Sequence, residues 1–228
     1  MGRDNSPKVR QKADLARKRD RSRKSRDRIL IVSEGTKTEP NYLNEICHEY
    51  RIPTANVVVQ PGKDGTGPLQ VVRYAQRLFT EGDHHCGIFK KAFEWVYAVF
   101  DRDEHASYEE ALRLAEGLDC SLRNDLNKKV RFLAIASVPC FELWLLLHFE
   151  NVQAPVSRNE VSVRLKRYLP KYEKGSKAIY KETKAKLPEA ILRAERLKKK
   201  AERGPQGEGP FTTLHELVDQ LTTMGKSR

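Results

Sequence analysis

Two short apolar runs, each cut off by acid, constrain this chain more than any other feature. Residues 28–34 read RILIVSE and residues 94–103 read EWVYAVFDRD. If both are parallel strands of one sheet, Glu34, Asp101 and Asp103 converge on the crevice at its carboxyl edge, where open α/β folds bind ligands. An acid trio in so basic a chain suggests Mg²⁺ and phosphate.

The chain has 228 residues, 39% hydrophobic and 32% charged, which suits one domain of ordinary size with appendages. Its net charge of +12 is unevenly spread: residues 1–28 carry +8, residues 164–203 carry +10, and the rest is mildly acidic. Basic appendages around a metal-demanding centre fit a polyanion partner. No apolar run approaches the roughly 20 residues of a membrane span, and no signal segment opens the sequence, so a cytoplasmic protein without a membrane partner is expected. Cys47, Cys86, Cys120 and Cys140 are scattered and form no CxxC, which reads as free thiols.

Along the chain, strand and helix patterns alternate. Strands are expected at 28–33, 56–60, 94–100 and 130–136, and helices at 38–50, 69–79, 107–126 and 139–149. Thr38 is the expected N-cap of the first helix, with Pro40 in its first turn. Residues 61–68 (PGKDGTGP) read as a loop. Helices follow at 159–169, 188–203 and 212–224, with a flexible loop at 204–210. The expected fold is therefore α/β, a mostly parallel sheet flanked by helices. The expected division is a disordered basic arm at 1–27, a catalytic core at 28–158, and a basic helical region at 159–228 packed on that core.

The chemistry starts from the acids. Hard carboxylate oxygens at Asp101 and Asp103 suit Mg²⁺ or Mn²⁺, and Mg²⁺ takes phosphate readily as a further ligand. Glu34 completes the shell or moves protons on the attacking or leaving oxygen. Strand-end acids are also common as solvated loop residues, so both readings stand. Lys37, in the GTKT turn at 35–38, is placed to meet a phosphate. Neither that turn nor 61–68 is a P-loop, because GxxxxGK[ST] is incomplete in each, which points away from ATP hydrolysis by this chain. Glu142, alone among Phe141, Leu143, Trp144 and Leu145, needs a partner if buried. It is either a fourth acid of the site or a helix-start carboxylate favoured by the dipole. His148 reads as a core or helix-end histidine. His84, His85 and Cys86 have metal-capable donors but no second cluster at a zinc spacing. Lys177 and Lys181, in the basic 164–203 stretch, are candidate nucleic-acid contacts.

The segments ILIVSEGTKTEPNYL (29–43), VFDRDEH (99–105), SVPCFELWLLLHF (137–149) and GPFTTLHELVDQL (209–221) resemble, in order, the blocks of the RloB family, also described as AbiLii-type abortive-infection proteins. One departure is Val138, where the family pattern has Asn before the proline. The resemblance implies a Toprim-like fold, with Glu34 as general acid/base and Asp101 and Asp103 holding Mg²⁺. It also implies the nuclease half of a phage-defence pair whose sensor is a separate SMC/ABC-like ATPase.

The combined expectation is a Mg²⁺-dependent Toprim-type nuclease, cutting RNA (tRNA among the candidates) or DNA, as the effector of an abortive-infection system. Glu34, Asp101 and Asp103 hold the metal, Glu142 supports them, and Lys37, Lys177 and Lys181 neutralise the backbone. The alternative is a non-enzymatic nucleic-acid-binding or adaptor subunit. Nucleotidyl transfer is a third reading, because primases share the Toprim metal logic.

Overall fold

The computed structural model describes residues 27–62, 67–102, 106–203 and 209–226. Asp103 lies outside the described residues, as do residues 1–26 of the expected arm and parts of the expected loops at 61–68 and 204–210.

The apolar runs become the centre of the sheet. β1 (Ile29–Ser33) is buried along its whole length. Its side chains alternate between two apolar clusters, Ile29 and Ile31 in one and Leu30 and Val32 in the other, as the two-residue period of a strand requires. β2 (Val57–Pro61) and β3 (Trp95–Asp101) pair with it in parallel on either side. β4 (Arg131–Val138) extends the sheet in parallel from β3, and β5 (Phe211–Thr212) closes that edge antiparallel. The order is β2-β1-β3-β4-β5. It reverses between β1 and β3, so the crevice at the carboxyl ends opens there.

Parallel strands need long crossovers, and each crossover here carries a helix. α1 (Thr38–Glu49) joins β1 to β2, α2 (Pro68–Glu81) joins β2 to β3, and α3 (Tyr108–Leu118) joins β3 to β4. α2 and α3 cover the face that holds Leu30, Val32, Val96 and Phe100. α1 covers the opposite face together with α4 (Glu142–Leu147), α5 (Arg158–Tyr168), α6 (Ile179–Thr183), α7 (Leu187–Arg203) and α8 (Leu214–Lys226). α4 is apolar on every side because α5 and α7 flank it over the sheet, and residues 143–147 are fully buried. Its one polar ring atom is satisfied, since Trp144 Nε1 donates to the Tyr42 hydroxyl at 2.9 Å. No helix among the described residues is long and apolar enough to cross a membrane.

Three local expectations are corrected. α3 stops at Leu118 rather than near 126, because Cys120 turns into the left-handed region (φ 58) and its N–H goes to the Val130 carbonyl at 2.9 Å. Asp119 holds that turn by accepting from Phe132 N and Arg131 Nε, each at 2.9 Å. Thr38 is not the N-cap of α1: Lys37 takes that place, and the Thr38 hydroxyl accepts the Gly175 N–H at 2.9 Å instead. The strand β5 ends on Thr212, where the last helix was expected to start. Its Thr212 hydroxyl sits 2.9 Å from that of Ser137 on β4.

Trp144 anchors the larger apolar cluster, so Trp144→Ala is expected to lower unfolding stability by about 3–5 kcal/mol. Leu192→Ala, at a side chain 53% exposed, is expected to stay within about 0.5 kcal/mol. Urea denaturation of the two variants beside wild type checks both, and equal midpoint shifts would refute the assignment of the core.

Candidate active site

Glu34 and Asp101 are placed by backbone pairing. β1 ends at Ser33, and the Glu34 N–H continues the ladder to the Val99 carbonyl of β3 at 2.8 Å. Asp101 is the last residue of β3, and its N–H donates to Glu34 Oε2 at 3.0 Å. The two strand-end acids are thus joined directly, at the switch point of the sheet.

Two more carboxylates enter from helix starts. Glu39 lies in the first turn of α1 and Glu142 opens α4. Both are buried, and Glu142 Oε1 accepts the Tyr172 hydroxyl at 3.1 Å. Gly35 makes room for this packing, since a Cβ there would collide with the Glu39 carboxylate. Glu34, Glu39, Asp101 and Glu142 line one cavity of about 320 Å³ with Lys37, Arg158 and Lys174.

The cations are delivered by long-range contacts. Arg158 Nη2 lies 2.9 Å from Asp101 Oδ2. Lys174 and Gly175 belong to a strap tied across the start of α1: Gly175 N–H donates to Thr38, and Asn41 Nδ2 donates to the Gly175 carbonyl at 3.0 Å. Gly175 has φ +85, and a Cβ there would sit 3.1 Å from Lys37 Cβ, so both the turn and the contact favour glycine.

This arrangement makes two of the acids, Asp101 and Glu39, hard to ionise. Burial, then the charges of Glu39, Glu34 and Glu142, hold the Asp101 carboxyl well above the usual aspartate range, and Arg158 works against that shift. Burial also pushes Glu39 up from an ordinary 4.5 to about 7, with Glu142 and Glu34 adding to the rise. Cys140, beneath Glu142 and Asp101, is raised for the same reasons in the same order, burial first. His148 is a buried helix-end histidine: its Nδ1 is 3.0 Å from the Trp144 carbonyl, and burial lowers it to about 4.

Of the residues singled out from sequence, Glu34, Asp101, Glu142 and Lys37 meet in this cavity. Lys177 and Lys181 do not. They line a separate groove with Asn41, Asn44, His48 and Tyr180. His84 and His85 are exposed, and Asp83 caps their short turn through His85 N and Cys86 N. Glu39, Arg158, Lys174 and Tyr172 are site residues that sequence reasoning missed. Glu39 carries a signal, an acid in a helix start five residues after Glu34. Arg158 and Lys174 carry none that separates them from the other cations of a basic stretch.

A hard divalent cation fits the donor set. The lining acids are all oxygen donors, and their mutual repulsion is what such an ion relieves. Among the described residues, no group of three or more His, Cys, Asp and Glu side chains is placed to cage an ion by itself.

The family model described as RloB-like protein matches residues 29–221 of this chain, from the first residue of β1 into α8. No curated protein and no solved structure matches it.

Between pH 4.5 and 7 the folded protein keeps a proton on Glu39 that the unfolded chain has released. The stability tied to that proton is fully present below 4.5 and is lost as pH rises through 7. Glu39→Gln removes this dependence. The variant is therefore expected to gain on wild type as pH rises, by an amount on the order of 3 kcal/mol above neutrality. Urea midpoints of both proteins from acid to mildly alkaline pH check this, and a difference that is flat with pH or of opposite sign would sink it.

Proposed function

The chain belongs to the RloB-like family, and on that premise we propose that it is a Mg²⁺-dependent nuclease of Toprim type. In this reading it is the effector of an anti-phage abortive-infection system whose ATPase is a separate SMC/ABC-like chain. The observation that carries the proposal is the direct link between two strand-end acids, Asp101 N–H to Glu34 Oε2 at 3.0 Å, at the switch point of the sheet. Parallel α/β sheets bind ligands there, and a pair of acids facing polyanionic substrate requires a cation between them.

Asp101 and Glu34, with Asp103, are the residues that would hold Mg²⁺. Bound there, the ion supplies a Lewis acid that polarises the phosphoryl oxygen and offsets charge on the scissile phosphate. Glu34 takes the proton of the attacking water or returns one to the leaving oxygen. Glu142, held in place by the Tyr172 hydroxyl, supports the acidic wall. Lys37 and Lys174, both exposed at the cavity, neutralise the phosphate that enters. Lys177 and Lys181 line the separate groove along α1, and in this reading they contact the strand flanking the cut. The substrate class is RNA, with tRNA among the candidates, or DNA.

The adaptor reading, a nucleic-acid-binding subunit without chemistry, draws on one observation: Arg158 already pairs with Asp101. The two readings part in one experiment. The chain, alone and with any adjacently encoded ATPase, is incubated with total tRNA, single-stranded RNA and plasmid DNA in Mg²⁺, Mn²⁺ or EDTA, with Asp101→Asn and Glu34→Gln run in parallel. Cleavage is expected only with metal. Each variant is nearly isosteric with the acid it replaces, and melting curves establish that both are folded. Glu34→Gln is expected to lose about 10²–10⁴-fold in rate. Binding without cleavage in every combination would exclude the nuclease and leave the adaptor.

A further inference from the structure

Arg158 is the first residue of α5, and the Ser157 cap, whose hydroxyl accepts the Glu160 N–H at 3.2 Å, fixes where that helix begins. Its guanidinium reaches Asp101 Oδ2 at 2.9 Å. The partners differ in exposure: the Asp101 side chain is 10% exposed, that of Arg158 37%. One end of the pair is therefore fixed at the sheet edge and the other borders solvent. Of the charged groups around Asp101, Glu39, Glu34 and Glu142 oppose its ionisation and Arg158 favours it.

We propose that Arg158 is an exchangeable counter-ion and the phosphate-binding residue of the site. It holds Asp101 while no divalent ion is present, and it releases Oδ2 and turns to the substrate phosphate when the site is loaded. This inference rests on the nuclease reading above. The physical reason is crowding of like charge. A divalent ion takes a carboxylate oxygen at about 2.0–2.1 Å, so a guanidinium on the same oxygen would stand on the order of 4 Å from a second and stronger positive charge. The displaced guanidinium remains tethered at the start of α5, within the cavity that Lys37 and Lys174 also line. A guanidinium fork binds phosphate with two parallel hydrogen bonds, which a lysine cannot do. Metal and nucleic acid then help each other bind, because the phosphate offers Arg158 a partner that replaces Asp101.

The test is calorimetric titration of Mn²⁺ alone into the full chain, with no turnover required. Wild type is compared with Arg158→Ala, Arg158→Gln and Arg158→Lys, and Asp101→Asn identifies the site. Melting temperatures establish that each variant is folded, and Arg158→Gln keeps the test intact should Arg158→Ala fail to fold. Arg158→Ala and Arg158→Gln are expected to bind Mn²⁺ about tenfold tighter than wild type, a change of about 1.4 kcal/mol. Arg158→Lys, which keeps the charge, is expected to stay within about threefold of wild type. Asp101-dependent binding that is equal or weaker without the guanidinium would overturn the role of Arg158 and leave the nuclease reading standing. Absence of Mn²⁺ binding in wild type and all Arg158 variants would overturn both.

Discussion

Parallel pairing of β1 with β3 is the constraint on which the rest of the molecule depends. Both strands are buried on both faces, so their register is held by apolar packing from above and below. Ser33 pairs with Val99, which sets Glu34 beside the last residues of β3. The Glu34 main chain bonds to Val99, and its carboxylate bonds to the Asp101 main chain. Each acid is thus positioned by backbone, with little left to side-chain freedom, and a site rooted in strands is more exact than one built on loops.

Gathering acids at that edge works against folding. Asp101 and Glu39 are buried among carboxylates, and both resist ionisation. Arg158, Lys174 and the Tyr172 hydroxyl offset part of the cost, and two apolar clusters, one on each face of the sheet, sustain the remainder. The same crowding accounts for the cations around the cavity.

Those cations come mostly from the helical region. Strand ends and the starts of α1 and α4 supply the acids, whereas Arg158, Tyr172 and Lys174 come from α5 and the strap that follows it. The strap is joined to the acid wall through Thr38 and Asn41, and β5 adds a strand to the same sheet. Residues 159–203 and 209–226 therefore share both the core and the cleft with the strands.

Local sequence was enough for the four parallel strands and for the identity of the acids at their edge, but not for β5. Apolar runs ended by acid are local patterns, and in a parallel sheet the end of a strand has only one place to be, so Glu34, Asp101 and Lys37 were legible from spacing. Glu142 was legible because a lone carboxylate in an apolar helix demands a partner. The helix limit at Leu118 was not, since a left-handed turn at Cys120 depends on what Asp119 and Val130 meet. Tertiary structure alone decided that Thr38 would serve the strap instead of its own helix, and that Lys177 and Lys181 would line a different groove from Lys37. It also decided which of many cations would reach Asp101. Periodicity records which face of an element is buried, but a charge brought from 57 residues away is chosen by the packing of whole helices, and no local pattern encodes that.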